Sequence, residues 1–594
     1  MRAVTLATAA PTLVPLQAGS LSAVFDRGTG ALRHLRWDGQ EILRGIYGAV
    51  RDRDWNTVTP EITNLTFDNG SDAFRIAFTA VCASPQRGID FRWQGEITAS
   101  AAGAVTYTFS GAAHSAFLRN RIGLCALHPA PGTPGHPCLI THVDGTTGPG
   151  RFPESVSPHQ PFQNLRALTH QPVPGLHVRV EFEGDTFETE DQRNWTDASF
   201  KTYSTPLDLP FPVPISAGDT VAQSITLTVT APPPTTTKTP ARPSAPDLQF
   251  DWASPLTRPP VGFGFDPSAP TPSAATLDAL KTLAPDHLRI DLHPAEPTWR
   301  DALTRSATVA AGVPCALHLA LHLDPASARS QLESVTAALD ALPCPVALAL
   351  VFSADHPATP PALADLARDL LPAGLAIAAG TDAHFAELNR NRLPAGRGVH
   401  PTFSITPQAH AFDDLSLVES LEAQPATVAT ARTFSPHPAV VSPITLLPRW
   451  NPNATSGETA AGPDADPRQA APFNAAWTLG SLANLLTAPG LHSLTYFETH
   501  GPRGLMGTDG SPFPVASAFA ALAGSTHVFP TKCSDPLATT ALALAFPDGT
   551  RKVFAASFLT GPLPVTIDGQ EATLDPRSIA IFDPAPGTLP VSNP

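Results

Sequence analysis

The sequence predicts a multidomain protein: an N-terminal antiparallel β-sandwich, a central (β/α)8 TIM barrel and a small C-terminal β-domain. Three observations predict it. A Pro/Thr-rich stretch, "APPPTTTKTPARPSAP" (Ala231 to Pro246), can form neither helix nor central strand and reads as a linker. Before it, short alternating runs are separated by turn residues. After it, apolar strands alternate with helix-like segments, and the last part returns to strands and tight turns. The expected boundaries are 1–230 for the sandwich, 231–246 for the linker, 247–510 for the barrel and 511–594 for the C-terminal domain.

Composition agrees with several packed cores. The 594 residues are too many for one. A hydrophobic content of 42% with 15% charged residues is that of an ordinary globular chain. A net charge of −15, with no Lys/Arg stripe, argues against a nucleic-acid partner. No apolar run approaches the roughly 18 residues of a membrane span, so no membrane partner is expected. The N-terminus, "MRAVTLATAAPTLVPLQAGS", lacks a dense apolar core and reads as unprocessed. The six cysteines form no CxxC and no metal-like spacing, which fits reduced, mostly buried thiols of a cytoplasmic protein. The 67 prolines imply many turns and rigid loops.

The sandwich is carried by "LSAVFD", "FRIAFTAV", "FRWQGEITA", "AVTYTFSG", "LHVRVEFEG" and "QSITLTVTA", all alternating with period two. Eight strand candidates follow the linker: "VGFGFD", "HLRIDLH", "ALHLALHL", "VALALVFS", "LAIAAGTDAH", "TFSITPQAH", "PITLLPR" and "LHSLTYFE". Helix-like stretches such as "SAATLDALKTLA" and "TPPALADLARDLL" lie between them, and eight such units make a TIM barrel. In the last part, "LALAFPDGTRKVFAASF" holds an Asp-Gly hairpin turn, followed by "PVTIDG" and "SIAIFD".

Strand alternation assigns the barrel faces. Leu288, Ile290 and Leu292 face the helices, so Arg289, Asp291 and His293 face the lumen. By the same rule His318 and His322, then Asp382 and His384, then Gln408 and His410, point inward. Thr445, Leu447 and Arg449 share a face on the seventh strand, and Leu494, Tyr496, Glu498 and His500 share one on the eighth. Asp266, His293, Asp382, His384, His410, Arg449 and Glu498 thus collect at the C-terminal strand ends, where TIM-barrel chemistry sits. Some of these have plainer readings. Arg289 and Asp291 could be an ion pair that only holds the barrel, His318 a core histidine and Asp266 the start of a turn.

Several chemistries find no motif. GxSxG, HExxH, an EF-hand loop, Walker A and a strand-borne GxGxxG are all missing. His293, His322, His384 and His410 could converge on a metal, but no HxH pair ends the first strand and no acid cluster completes a site. No metal and no cofactor are expected. A glycosidase pair would need glutamates after strands four and seven, which end "VFSADHP" and "LLPRWN". Glu498 and Asp382 could still form such a pair if the strand count is off by one.

Several long segments resemble the D-apionate lactonase family. They are "YGAVRDRDWNTVTPEI", "RNRIGLCALHP", "FPESVSPHQPF" and "FETEDQRNWTDASFKTYSTPL" before the linker, and "GTDAHFAELNRNRLP", "FSITPQAHAFDD" and "LTYFETHGPRGLMG" after it. The resemblance runs nearly end to end. It implies the same three-part fold and hydrolysis of D-apionolactone to D-apionate in bacterial apiose catabolism. It carries no catalytic residue list, so site assignments rest on the residues alone.

Opening a lactone needs a water nucleophile, a general base and donors for the oxyanion. Glu498 is the expected base. Asp382 is its expected partner, orienting His384 or His293 or protonating the leaving alkoxide. Arg449 or a protonated histidine would stabilise the oxyanion. Asn389 and Asn391, with His410 and Asp291, are candidates for substrate binding. In "EDQRNWTDASFKTY", Arg193, Asn194 and Lys201 would bind hydroxyls or the nascent carboxylate if that loop covers the barrel mouth; otherwise it is a solvated loop. Two alternatives stay open: a glycoside hydrolase on a pentose or apiose-type glycoside, and a non-catalytic carbohydrate-binding protein. The expected partner is a small sugar lactone; the oligomeric state is not legible.

Overall fold

The computed structural model describes residues 13–231, 245–455 and 465–584, so the N-terminal segment and most of the linker discussed above lie outside the described residues. The chain divides into two compact units. One comprises Met1–Arg193, Ala198–Lys238 and Asn453–Ala460; the other comprises Asn194–Asp197, Thr239–Pro452 and Ala461–Pro594.

The first unit is antiparallel throughout, its strands linked in one hydrogen-bonded network. Period two does the work. Along Ala73–Ser84, Phe74, Ile76, Phe78 and Ala80 are buried while Arg75 is exposed. Their partners on Ile89–Ser100 pair in register, Phe78 opposite Gly95 and Ala80 opposite Trp93. Glycine at 95 is required, because a Cβ there would lie 2.4 Å from the Phe78 ring. Phe78 packs edge-on to Trp93 at 5.3 Å, and Trp93 stacks on Phe109 at 4.5 Å. These rings belong to one apolar cluster that draws on strands from Leu13 to Thr230.

The second unit holds a closed eight-stranded parallel barrel. Its strands are β1 (Val261–Gly264), β2 (His287–Leu292), β3 (Ala316–Leu323), β4 (Val346–Ser353), β5 (Ala376–Gly380), β6 (His400–Ile405), β7 (Ala439–Ile444) and β8 (Leu491–Glu498). Between them run helices α1 (Ala274–Leu283), α2 (Trp299–Gly312), α3 (Ala328–Leu339), α4 (Pro361–Leu370), α5 (Phe385–Arg390), α6 (Asp414–Glu419), α7 (Gln424–Phe434) and α8 (Pro472–Leu486); α9 (Ala516–Leu522) follows β8. Each of the eight sequence candidates overlaps one strand, and β3, β4 and β8 have the expected ends. β5, β6 and β7 stop earlier, so Asp382, His384, Gln408, His410 and Arg449 lie on the loops that follow.

Small strands flank the barrel in sequence. Asp247–Phe250 pairs with Thr531–Cys533 and Leu563–Ile567, and Leu256–Thr257 pairs with His527–Phe529. Residues 247–257, which the sequence assigns to the barrel, therefore pair with C-terminal strands. The hairpin Thr539–Ala545 with Arg551–Ser557 turns at the expected Asp-Gly.

Alternation sorts the lumen as expected on most strands. Ala320, Leu348, Leu350, Phe352, Ala378 and Val440 form an apolar cluster inside it. His287 and His318 stack beneath Arg289 with ring centroids 3.5 Å apart, and His287 Nε2 is 2.9 Å from Thr495 Oγ1. Glycine at 262 makes room, since a Cβ would fall 2.1 Å from the His287 carbonyl oxygen.

On β8 the alternation breaks, and the expected shared face of Leu494, Tyr496, Glu498 and His500 is corrected. Tyr496 faces the helices: its hydroxyl lies 2.8 Å from Ser481 Oγ on α8. Phe497 adopts a left-handed φ of 38°. At that point Phe263 pairs with Tyr496 but Gly264 with Glu498, so β8 carries an extra residue. Tyr496 and Phe497 both pack on Phe519 of α9, at 5.4 and 6.5 Å. The bulge absorbs one residue, and Glu498 enters the electrostatic reach of Arg449 and Asp266.

Candidate active site

Asp291, at the end of β2, is the hub. Its Oδ1 accepts from Arg289 Nη2 at 2.8 Å and lies 2.9 Å from His322 Nε2; its Oδ2 accepts from Arg449 Nη2 at 3.0 Å. Burial by itself would raise its pKa, but the charges of Arg289 and Arg449 and the His322 bond outweigh it and hold the carboxyl well below the usual range. Arg289 is buried, which pulls it down to about 10 against the opposing pull of Asp291.

Asp382 follows β5 by two residues. Gly380 allows this strand end to close on β6, because a Cβ there would meet the Thr402 carbonyl oxygen at 2.1 Å. Asp382 Oδ1 accepts from Trp450 Nε1 at 3.0 Å; its Oδ2 lies 3.4 Å from Arg449 Nε and 3.9 Å from His322 Nε2. Arg449 thus spans two carboxylates, and despite burial their charges raise its pKa.

Glu498 is paired with Arg503 at 2.8 Å. Burial raises its pKa above the ordinary glutamate range, Asp266 adds to this, and Arg503 and Arg449 only partly offset it. His293 is exposed and stacks on His322 at 4.5 Å with an interplanar angle of 14°. Although its edge meets solvent, partial desolvation against its neighbours and then His322 lower its pKa.

Asp291, His322 and Asp382 bring their donor atoms within 4.8 Å of one another, the group of this kind found among the described residues. Arg289, Arg449 and Trp450 already donate to or face the same oxygens. Two guanidinium charges therefore stand where a cation's would, and the set fits an ion-pair network better than a metal centre.

The remaining sequence candidates fall elsewhere. His384 precedes α5; burial and then its neighbour His410 lower its pKa to about 4. His410 Nδ1 is 2.6 Å from Asp197 Oδ2, and its ring meets Trp195 edge-on at 5.3 Å. Asn389 is buried, donating to Asn194 Oδ1 at 2.9 Å and accepting from Arg392 at 2.7 Å. Asn391 donates to the Glu387 carbonyl at 2.8 Å and closes the end of α5. In the first unit, Arg193 is buried against Asp191 at 2.7 Å, the Pro153 and Glu154 carbonyls and the Phe200 ring. Lys201 pairs with Glu190 and lies over the Tyr203 ring. These contacts give Arg193 and Lys201 structural employment.

A D-apionate lactonase of Brucella anthropi is 32% identical over 524 residues, covering 84% of each chain. The chain belongs to the D-apionate lactonase family. The N-terminal domain of that lactonase family matches residues 1–232 and its TIM barrel domain residues 261–527. Among solved structures, a GH30 endoxylanase from Clostridium papyrosolvens covers 57% of this chain and 99% of its own, at 9% identity and a TM-score of 0.39. A GalM/aldose epimerase homologue from C. elegans covers 37% of this chain and 99% of its own, at 10% identity and a TM-score of 0.26.

Three residues of the candidate site carry no catalytic or substrate-binding role in the sequence reading. His322 faces inward by strand alternation, but the sequence offers it only as a metal-ligand candidate. Trp450 and Arg503 lie on loops, where no period points to them. The one signal for Trp450 was its position next to Arg449.

Proposed function

We propose that this lactonase hydrolyses D-apionolactone to D-apionate in bacterial apiose breakdown. The observation that carries the chemistry is Arg449, clamped between the carboxylates of Asp291 and Asp382 and sensing Glu498. A guanidinium fixed by two acids is a preorganised donor for an oxyanion that develops on a lactone carbonyl. Glu498, with its raised pKa, takes a proton from the attacking water. The oxyanion collapses, the ring C–O bond breaks and the ring oxygen takes a proton. The product carboxylate meets the same guanidinium. Asp382 holds Arg449 and stands near His322, so the histidine it helps to orient is His322 rather than His384 or His293.

The setting is consistent with a small-molecule enzyme. Among the described residues no helix is long and apolar enough to cross a membrane. All six cysteines are unpaired, which supports a reducing, cytoplasmic location.

A pH-stat assay on D-apionolactone, run with and without EDTA, tests the reading. Acid release at a rate insensitive to EDTA is expected. Reducing-sugar release from an apiose-type glycoside without lactone turnover would favour a glycosidase. Binding without turnover would favour a carbohydrate-binding protein. Loss in EDTA restored by zinc or manganese would overturn the metal-free chemistry.

A further inference from the structure

The sequence leaves the proton for the leaving ring oxygen with Asp382 or a histidine of another loop. The structure shows a better-placed group. His322 is anchored at one end only. Its Nε2 lies 2.9 Å from Asp291 and 3.9 Å from Asp382, while its ring rests between His293, stacked at 4.5 Å, and Phe352 at 5.4 Å. These contacts fix the ring plane and the direction of both nitrogens. Nδ1 makes no hydrogen bond to any described residue, and, unlike that of His318, it is not sealed from solvent.

We propose that His322 is the general acid of the lactonase reaction, delivering its Nδ1 proton to the ring oxygen as the C–O bond breaks. This rests on the lactonase reading above. The groups that face the imidazole suit the role. Asp291 and Asp382 lie on its Nε2 side, and Arg289 and Arg449 face those same carboxylates. His293, on its ring face, is held below the ordinary histidine value by desolvation and then by His322. Arg449 bonds to Asp291, which holds His322, and lies within the electrostatic reach of Glu498, so a carbonyl bound at Arg449 has both base and acid in its surroundings.

The protons balance. Glu498 carboxylate takes one proton from water, whose oxygen bonds to the carbonyl carbon. His322 imidazolium gives one to the departing alkoxide. The products are the hydroxy acid, protonated Glu498 and neutral His322. Transfer of the Glu498 proton back to His322 through solvent restores both, and the acid ionises into bulk water.

The test is the pH profile of kcat/KM for lactone hydrolysis by the full-length chain. A general acid sets the basic limb, as a general base sets the acidic one. His322→Gln should lower kcat by about 10²–10⁴-fold, abolish the basic limb, keep the acidic limb and change KM little. His293→Gln should keep the basic limb. If His322→Gln does not fold, His322→Asn retains an N–H near the Nδ1 position without a releasable proton and should behave alike. A basic limb that survives in either His322 variant, or disappears only in His293→Gln, overturns the assignment. A wild-type protein that does not open the lactone refutes the lactonase reading itself, which is a distinct outcome.

Discussion

Replacing Glu498 by glutamine separates its chemistry from its packing. The side chain makes one ion pair, with Arg503, whose own side chain is 57% exposed. An exposed pair of this kind contributes about 0–1 kcal/mol. The backbone contacts, Glu498 N–H to the Arg503 carbonyl and Leu505 N–H to the Glu498 carbonyl, do not depend on the side chain. Ionisation of the wild-type carboxyl also favours the variant. The folded pKa is raised, so the contribution to stability is full below the unfolded value and is lost as pH rises through the folded one. At neutral pH the charge is a mild burden that glutamine lacks. The net stability change should stay within about 1 kcal/mol, a few degrees in Tm. Loss of general-base catalysis is larger, about 10²–10⁴-fold or roughly 3–5 kcal/mol in the barrier. Kinetics across the pH range, with a thermal melt of the same sample, measure both. The expected result is a large fall in kcat, a nearly unchanged KM and melt, and loss of the acidic limb, which in the wild type lies above the ordinary glutamate range. Full activity in a folded Glu498→Gln protein refutes the reasoning. A change confined to KM with the limb intact makes Glu498 a hydroxyl ligand instead.

Arg193→Ala removes a cation from the fully buried Asp191 and a donor from three backbone carbonyls, and should destabilise by about 3–5 kcal/mol; an unchanged urea midpoint would show that the pair contributes nothing. Burial depresses His287 to about 3 and holds His318 well below its ordinary value, so the unfolded chain protonates first and stability falls as pH drops from about 6.5 towards 3. Urea midpoints at successive pH values should show this decline, and His318→Phe should flatten it; a wild-type midpoint that is flat across the window would refute the account.

The barrel was legible because its strands are short, apolar on one face and punctuated by turns. Period two then placed Arg289, Asp291, His318 and His322 inside without any tertiary information. It failed where a residue leaves the strand conformation. Phe497 at φ 38° consumes a position, so Glu498 is directed by the bulge and not by alternation with Tyr496. Loops were the second failure. Asp382 was identified as a strand-end acid, but its partners Arg449 and Trp450 come from a loop about seventy residues later in sequence, and no local rule pairs them. Arg193 and Lys201 illustrate a third. Dense charge in "EDQRNWTDASFKTY" resembles a solvated or substrate-facing loop, whereas both residues are buried and satisfied by neighbours two to forty positions away.

Depth in the barrel explains why similar side chains serve different ends. His287 and His318 are nearly inaccessible, and there a neutral stacked pair is far cheaper than a charge. One layer up, Arg289 is just as buried, but it retains its proton because Asp291 faces it at 2.8 Å. At the mouth Asp291 and Arg449 are each 29% exposed at the side chain and His322 is 14% exposed, so water and a substrate can share their fields. Breaking the ladder at Arg289 would leave a carboxylate half-compensated and let the His322 ring drift. In the proposed mechanism the buried arginine therefore acts only through Asp291, the carboxylate that holds both Arg449 and His322. The polar lumen is thus one structure with two electrostatic regimes, neutral where it supports the barrel and ionised at the mouth, where the proposed mechanism needs charge.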